Sequence, residues 1–162
     1  MLDVIRRRRS IRSYTSQDVT DQQVQAMLEA AMAGPTADNL QPWHFVVVRD
    51  AGVRRQLSRV HQWASMCEGA PVVFAVCGEA GNAYWIEDTS AATENLLLEA
   101  VAQGLGSVWI GIRGNEAEAR VRLILGIPQH MGVLCLVPVG YPGEVKEPRT
   151  QYDQRKVHYE RF

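Results

Sequence analysis

The stretch Tyr84-Trp85-Ile86-Glu87-Asp88-Thr89-Ser90-Ala91-Ala92-Thr93-Glu94-Asn95-Leu96-Leu97-Leu98-Glu99-Ala100-Val101-Ala102-Gln103, followed directly by Gly104-Leu105-Gly106-Ser107-Val108-Trp109-Ile110-Gly111-Ile112, decides the fold. Apolar or small residues recur at Ile86, Thr89, Ser90, Thr93, Leu96, Leu97, Ala100 and Val101, a spacing of three and four that predicts one long helix over 84–103. Gly104 ends it, and Ser107 to Ile112 reads as a strand. Gly104-Leu105-Gly106 invites a dinucleotide-fold reading, but that fingerprint must follow a strand and open a helix, so that the helix N-terminus meets a pyrophosphate. Here the order is reversed, and glycine serves as the left-handed helix stop. A nucleotide bound by this chain is therefore held some other way.

Upstream of the long helix, Pro71 to Cys77 is a continuous apolar run of strand length, expected for a central strand covered on both faces. Before it come a short helical pattern over Gly52 to His61 and a first strand at Phe45 to Val48. Thr20 with Gln23 forms a capping box opening a helix whose apolar face is Val24, Met27, Leu28, Ala31 and Met32, ended by Gly34-Pro35. Leu2 to Arg9 reads as a short helix. Downstream, Asn115 caps a helix with inner residues Ala117, Val121, Ile124 and Leu125, stopped by Gly126 and Pro128, and Val133 to Val139 is the last strand. The tail beyond Gly140 carries Pro142, Pro148 and many charges, yet holds Tyr152, Val157, Tyr159 and Phe162, which need a surface to pack on. Mixed helices and strands with short connections and no repeat predict an α+β fold, one domain over 1–162.

The chain has 162 residues, 46% hydrophobic and 22% charged, with a formal net charge of −1. That balance gives no overall positive field to draw in nucleic acid or an anionic membrane. Three cysteines, Cys67, Cys77 and Cys135, show no C-x-x-C spacing, and two sit in apolar runs, which points to a reducing, cytoplasmic compartment. No apolar stretch reads as a signal peptide or reaches membrane-spanning length.

Against that near-neutral background, Arg6-Arg7-Arg8-Arg9-Ser10-Ile11-Arg12-Ser13-Tyr14 places five guanidiniums and three hydroxyls in nine residues. Arginine grips phosphate through a planar fork and serine adds a compact donor, so this strip suits a phosphate. A solvated basic helix end, favoured by the helix dipole, reads the same residues without a ligand. A nucleic-acid patch fits less well, since aromatic interleaving is missing. Pro35-Thr36-Ala37-Asp38-Asn39-Leu40-Gln41-Pro42-Trp43-His44 sets two amides among hydroxyl and carboxylate groups between stiffening prolines, a loop able to meet a flat heteroaromatic ring edge or simply to connect two elements with Trp43 in the core. There is no G-x-S-x-G, H-E-x-x-H or P-loop, the four histidines stand singly, and no metal site is expected. A chain that holds an anionic cofactor yet lacks an acid–base pair leaves the chemistry to that cofactor. Tyr84, Trp85 and Trp63 are expected in the core, as aromatic residues in helical stretches usually are.

Taken in order, four segments resemble the nitroreductase family across nearly the whole chain. They are Arg8 to Tyr14, Pro35 to Phe45 with its Asn39-x-Gln41-Pro42-Trp43 core, Leu96 to Gly111, and Val139-Gly140-Tyr141-Pro142 followed by Pro148-Arg149. The resemblance implies a sandwich with a central, mostly antiparallel sheet flanked by helices, an intertwined homodimer with FMN between subunits, and NADH or NADPH as electron donor. By the same analogy Arg8, Arg9, Ser10 and Arg12 of one subunit meet the phosphate and the pyrimidine edge of the flavin, and Arg149 closes on the phosphate. Pro35, Thr36, Ala37 and Asn39 come from the other subunit, and Ile110-Gly111 passes the ring with its backbone. Residues 141–162 then form an arm packing on the partner. No residue of the chain is assigned as catalytic, because FMN carries the chemistry. The implied activity is ping-pong reduction of small flat acceptors such as nitroaromatics or quinones. Reductive dehalogenation, flavin fragmentation, or flavin binding without turnover are the alternatives. Thr36-Ala37 stands where the family often has serines, and the short chain leaves little room for helices that roof the substrate site in longer members.

Overall fold

The computed structural model describes residues 1–162. Five strands form one antiparallel sheet: β1 (Trp43–Val48), β2 (Val72–Glu79), β3 (Gly106–Ser107), β4 (Ile110–Gly111) and β5 (Met131–Gly140). Their order is β1-β2-β5-β3, with β4 also on β5. β2 and β5 are thus central, which explains the unbroken apolar run of β2: Val72, Phe74 and Val76 enter one core, Val73, Ala75 and Cys77 the other. The first core lies under α2 (Asp21–Met32) and α5 (Trp85–Ala102). The second lies under α3 (Ala51–Leu57), α4 (Met66–Gly69) and α6 (Glu116–Leu125). A short α1 (Asp3–Arg7) precedes them and buries nothing.

Local chemistry sets the helix ends. Thr20 Oγ1 accepts from the Gln23 N–H at 3.2 Å while the Gln23 side chain accepts from the Thr20 N–H at 3.0 Å, so the capping box forms in full. Asn115 caps α6 by accepting from the Ala117 N–H, and Gly126 closes it at φ 65°. α5 spans two residues fewer than the expected helix, ending one residue short at each side, and Gly104 follows at φ 75°.

Three sequence expectations change. Ser107 to Ile112 is not one strand but β3 and β4, both on β5, because between them Val108 falls opposite Pro138, which has no N–H to continue the ladder. Tyr84 and Trp63 are not in the core: they are 52% and 66% exposed, and only Trp85 is buried. Tyr84 precedes α5 and faces outward, one residue round from Trp85, while Trp63 lies in the connection between α3 and α4. Met32, the last residue of α2, is half exposed, about 100° round from the buried Ala31.

Trp85 lies on a pair of glycines. Gly78 of β2 and Gly132 of β5 are cross-strand partners, and a Cβ at either would sit 2.7 Å and 2.5 Å from the indole. The close approach needs both glycines, and it fixes where α5 begins over the sheet. Gly132→Ala is expected to lower stability by about 1–3 kcal/mol, the usual cost of overpacking, read by urea unfolding; an unchanged midpoint would contradict the packing. All three cysteines are buried, and burial pushes the thiols of Cys67 and Cys77 up to about 12 and that of Cys135 higher still. Ellman's reagent at pH 8 should therefore label none of them in the folded protein and all three after denaturation.

Candidate cofactor-binding site

After α1 the chain runs extended, and residues 8–15 lie beside the segment that follows β5. The Ile11 N–H donates to the Ser107 carbonyl at 2.9 Å, Thr15 to that of Tyr141 at 2.9 Å, and the Gly143 N–H to that of Ser13 at 2.8 Å. Lys146 Nζ donates to the Ser10 carbonyl at 2.5 Å, Arg9 to the Glu147 carbonyl, and the Arg149 N–H to the Arg6 carbonyl at 3.2 Å. The Tyr14 hydroxyl, within reach of the carbonyls of Ile11 (2.7 Å) and Pro138 (3.0 Å), pins the strip to β5, and its burial holds it protonated. Ile11 packs where a Cβ on Gly106 would be 2.8 Å away, so that glycine admits the strip to the sheet edge. The fold thus brings Arg8 to Arg12 and Arg149, far apart in sequence, onto one ribbon.

An extended chain turns alternate side chains to opposite sides. Arg7, Arg9 and Ile11 share a cavity of about 280 Å³ with Val101, Leu105 and Lys146. Arg8 turns instead toward α5, with Nε 3.4 Å from Glu94. The Ser10 hydroxyl and the exposed Arg12 guanidinium have no hydrogen-bond or ion-pair partner within the chain, although the Arg12 N–H donates to Glu144 Oε1 at 2.5 Å. That N–H, followed by Lys146, holds the Glu144 carboxyl below the usual carboxylate range. Ser10 bridges to Ser107, which is opposite Val139, and Gly111 is opposite Cys135, four residues along β5. This places Ser10 and the exposed Gly111 about 13 Å apart along one sheet edge. A Cβ on Gly111 would meet nothing closer than Trp109 Nε1 at 3.8 Å, so the missing side chain leaves open space rather than relieving an internal clash.

The loop after α2 forms a second half. Thr36 is extended, Ala37–Asn39 make one 3₁₀ turn, and Asp38, Asn39 and Gln41 all have positive φ, 49°, 55° and 49°. Asp and Asn visit this region readily, but Gln41 is held there at a cost of about 1 kcal/mol or more. Thr36 Oγ1 donates to Asp88 Oδ2 at 2.8 Å and accepts from the Gln41 N–H at 2.9 Å, and the Ala37 N–H donates to Asp88 Oδ2 at 3.2 Å. Gln41 Nε2 donates to Asn39 Oδ1 at 3.0 Å, which leaves the Asn39 N–H groups free on an exposed residue. Asp88 is 5% exposed and was not singled out from sequence, although it falls on the apolar stripe of α5, three residues after Trp85 and four before Ala92. A carboxylate on that stripe is the signal.

The two halves do not meet within one chain. Arg8 approaches α5 at Glu94 and the loop at Asp88, six residues and therefore about 120° apart around the helix, and no hydrogen bond joins residues 35–41 to residues 8–12. One strip offers cations and a hydroxyl, the other amide donors.

The nitroreductase family model matches residues 5–65 and 58–141. The chain belongs to the nitroreductase family. It is 34% identical to an NADH dehydrogenase of Thermus thermophilus over 93% of this chain and 91% of that protein. An FMN-dependent nitroreductase of Clostridium difficile superposes with a TM-score of 0.96 at 31% identity, covering 100% of both chains. The NADPH:FMN oxidoreductase of Vibrio harveyi, solved with NAD+, superposes with a TM-score of 0.87 at 26% identity, over 99% of this chain and 76% of that one. Among nitroreductase-family chains this one is thus matched end to end by short members, while the Vibrio enzyme carries additional chain. No helix is long and apolar enough to cross a membrane.

The Glu144 tie predicts a pH dependence with a definite sign. A carboxyl whose pKa is lowered on folding contributes stability that is present above its unfolded pKa and lost as pH falls through the folded one. The stability difference between wild type and Glu144→Gln should therefore be largest at neutral pH and shrink below about pH 4.3, where free Glu titrates, as followed by urea midpoints from pH 7 to 3. A difference independent of pH would remove Glu144 from the ribbon's support.

Proposed function

We propose that the chain is an FMN-dependent oxidoreductase that takes electrons from NADH or NADPH and passes them to small flat acceptors such as nitroaromatics or quinones, in a ping-pong cycle on a homodimer. The observation that carries the reading is the strip on which the Ser10 hydroxyl and the Arg12 guanidinium stand unpartnered at the same sheet edge as the open, exposed Gly111. The donor set fits the group: guanidiniums and a hydroxyl suit a phosphate and a polar ring edge, and a glycine without internal crowding suits a flat ring lying against backbone. Arg8, Arg9, Ser10, Arg12 and Arg149 would hold it from one subunit, with Ile110-Gly111 beside it. Pro35, Thr36, Ala37 and Asn39 would come from the partner subunit, since in their own chain they lie round α5 from the strip.

Bound FMN supplies the hydride and electron chemistry. The residues would position and polarise it: Arg12 would supply a positive charge beside the bound group, and the Asn39 amide N–H groups would offer donors to it. Of the expected arm over 141–162, residues 141–149 are instead clasped to their own chain's ribbon, and the exposed Tyr152 (72%), Tyr159 (77%) and Phe162 support only the segment beyond them acting as an arm that packs on the partner. A cytoplasmic location accords with three unpaired thiols. An open stacking face selects acceptors by shape rather than by hydrogen bonds, so broad acceptance of electron-poor rings is expected.

The test is an anaerobic absorption titration beside a mass in solution. A yellow dimer whose flavin bands bleach with NADPH or NADH, and whose FMN affinity falls about tenfold or more in Arg12→Ala, is the expected result. A colourless monomer that cannot be reconstituted with FMN would overturn it.

A further inference from the structure

Residues 35–41 are tied to the rest of the chain by hydrogen bonds to a single side chain, the carboxylate of Asp88. Every other hydrogen bond these seven residues make lies within the segment. Asp88 is buried, lies in the first turn of α5, and has no cation within ion-pair distance, so its charge is met by the Thr36 hydroxyl, the Ala37 N–H and the helix N-terminus. The segment it holds is the one with three non-glycine residues at positive φ in four positions. Such a backbone persists only where its surroundings over-determine it.

A relay leads outward from that carboxylate. Asp88 fixes Thr36 Oγ1, Thr36 Oγ1 accepts from the Gln41 N–H, and the Gln41 side chain donates to Asn39 Oδ1. With its oxygen occupied, Asn39 is turned so that only N–H groups face outward.

We propose that Asp88 is the positioning residue of the cofactor site, setting Thr36 to Gln41 so that the Asn39 amide presents its donors to a carbonyl on the edge of the bound ring. This rests on the flavin-binding reading above. Asp88 touches no ligand itself, and its effect passes entirely through the loop.

The experiment compares FMN affinity, by fluorescence quenching on titrating apoprotein, among wild type, Asp88→Ala, Asp88→Asn, Asn39→Ala and the double variant Asp88→Ala/Asn39→Ala. Circular dichroism and mass in solution check each fold. Asp88→Ala should bind FMN about tenfold more weakly or worse. Asp88→Asn should recover most of that loss, because one side-chain oxygen can still accept from both Thr36 and Ala37. The double variant should be no weaker than the worse single one. In the apoprotein, amide exchange at Leu40 and Gln41 should quicken in Asp88→Ala. Wild-type affinity in Asp88→Ala, or losses that add fully in the double variant, would overturn the proposal. If Asp88→Ala does not fold, Thr36→Val removes the hydroxyl bond to Asp88 and the Gln41 N–H bond to that hydroxyl while leaving the Ala37 N–H on Asp88, and wild-type affinity in that variant would overturn the proposal. Failure of wild type to bind FMN would sink the functional reading itself, an outcome distinct from wild-type binding that is indifferent to Asp88.

Discussion

The arrangement of this molecule depends on one steric constraint, the indole of Trp85 lying on the cross-strand pair Gly78 and Gly132. The sheet could accept an aromatic ring this closely only where two opposed strands both lack a Cβ. Once the ring is seated, the register of α5 over β2 and β5 is fixed at its first turn, and every residue further along is placed by helix geometry. Asp88 reaches the loop after α2, Ala92 meets the end of α2 at Gly34, and Glu94 meets Arg8. Both halves of the candidate site are thus hung from one helix, whose own position is set by two missing methyl groups.

Hanging both halves from α5 also keeps them apart. A helix cannot present residues six apart to the same side, so the arginine strip and the amide loop point in different directions and do not meet within one chain. The strip itself is rigid by a different device. It adds itself to the sheet edge at Ser107 and is clasped by the segment after β5 through Tyr14, Glu144 and Lys146. Backbone amides and carbonyls provide most of that clasp, which leaves Ser10 and Arg12 with donors free.

Much of this was legible in sequence where one residue type had one physical meaning. The capping box at Thr20 and Gln23, the Asn115 cap, the Gly126 stop and the apolar runs of β2 and β5 all appear where patterning puts them, and the order of helix, glycine and strand at 84–112 rightly excluded a dinucleotide fold. Legibility ended where meaning depended on a neighbour distant in sequence. The break between β3 and β4 depends on Pro138, which lies opposite it on β5. Trp63, Tyr84 and Trp85 look alike in sequence, but only Trp85 has two glycines to receive it. Asp88 is inconspicuous in sequence because a carboxylate in the first turn of a helix has an ordinary role beside the dipole, and its partners, Thr36 and Ala37, lie some fifty residues upstream.

The division of labour follows from the same geometry. Histidines, cysteines and carboxylates are the groups that do chemistry in most active sites, and here the thiols are buried and held protonated while the buried carboxylate Asp88 is spent on the loop. The groups that remain free in the two halves of the candidate site are a guanidinium, a hydroxyl and amide N–H donors, which donate hydrogen bonds rather than act as general acids or bases. Such a set can bind, orient and stabilise charge, but it cannot initiate a reaction. That is why the proposed function gives the chemistry to a bound molecule and leaves the chain's own residues to hold it.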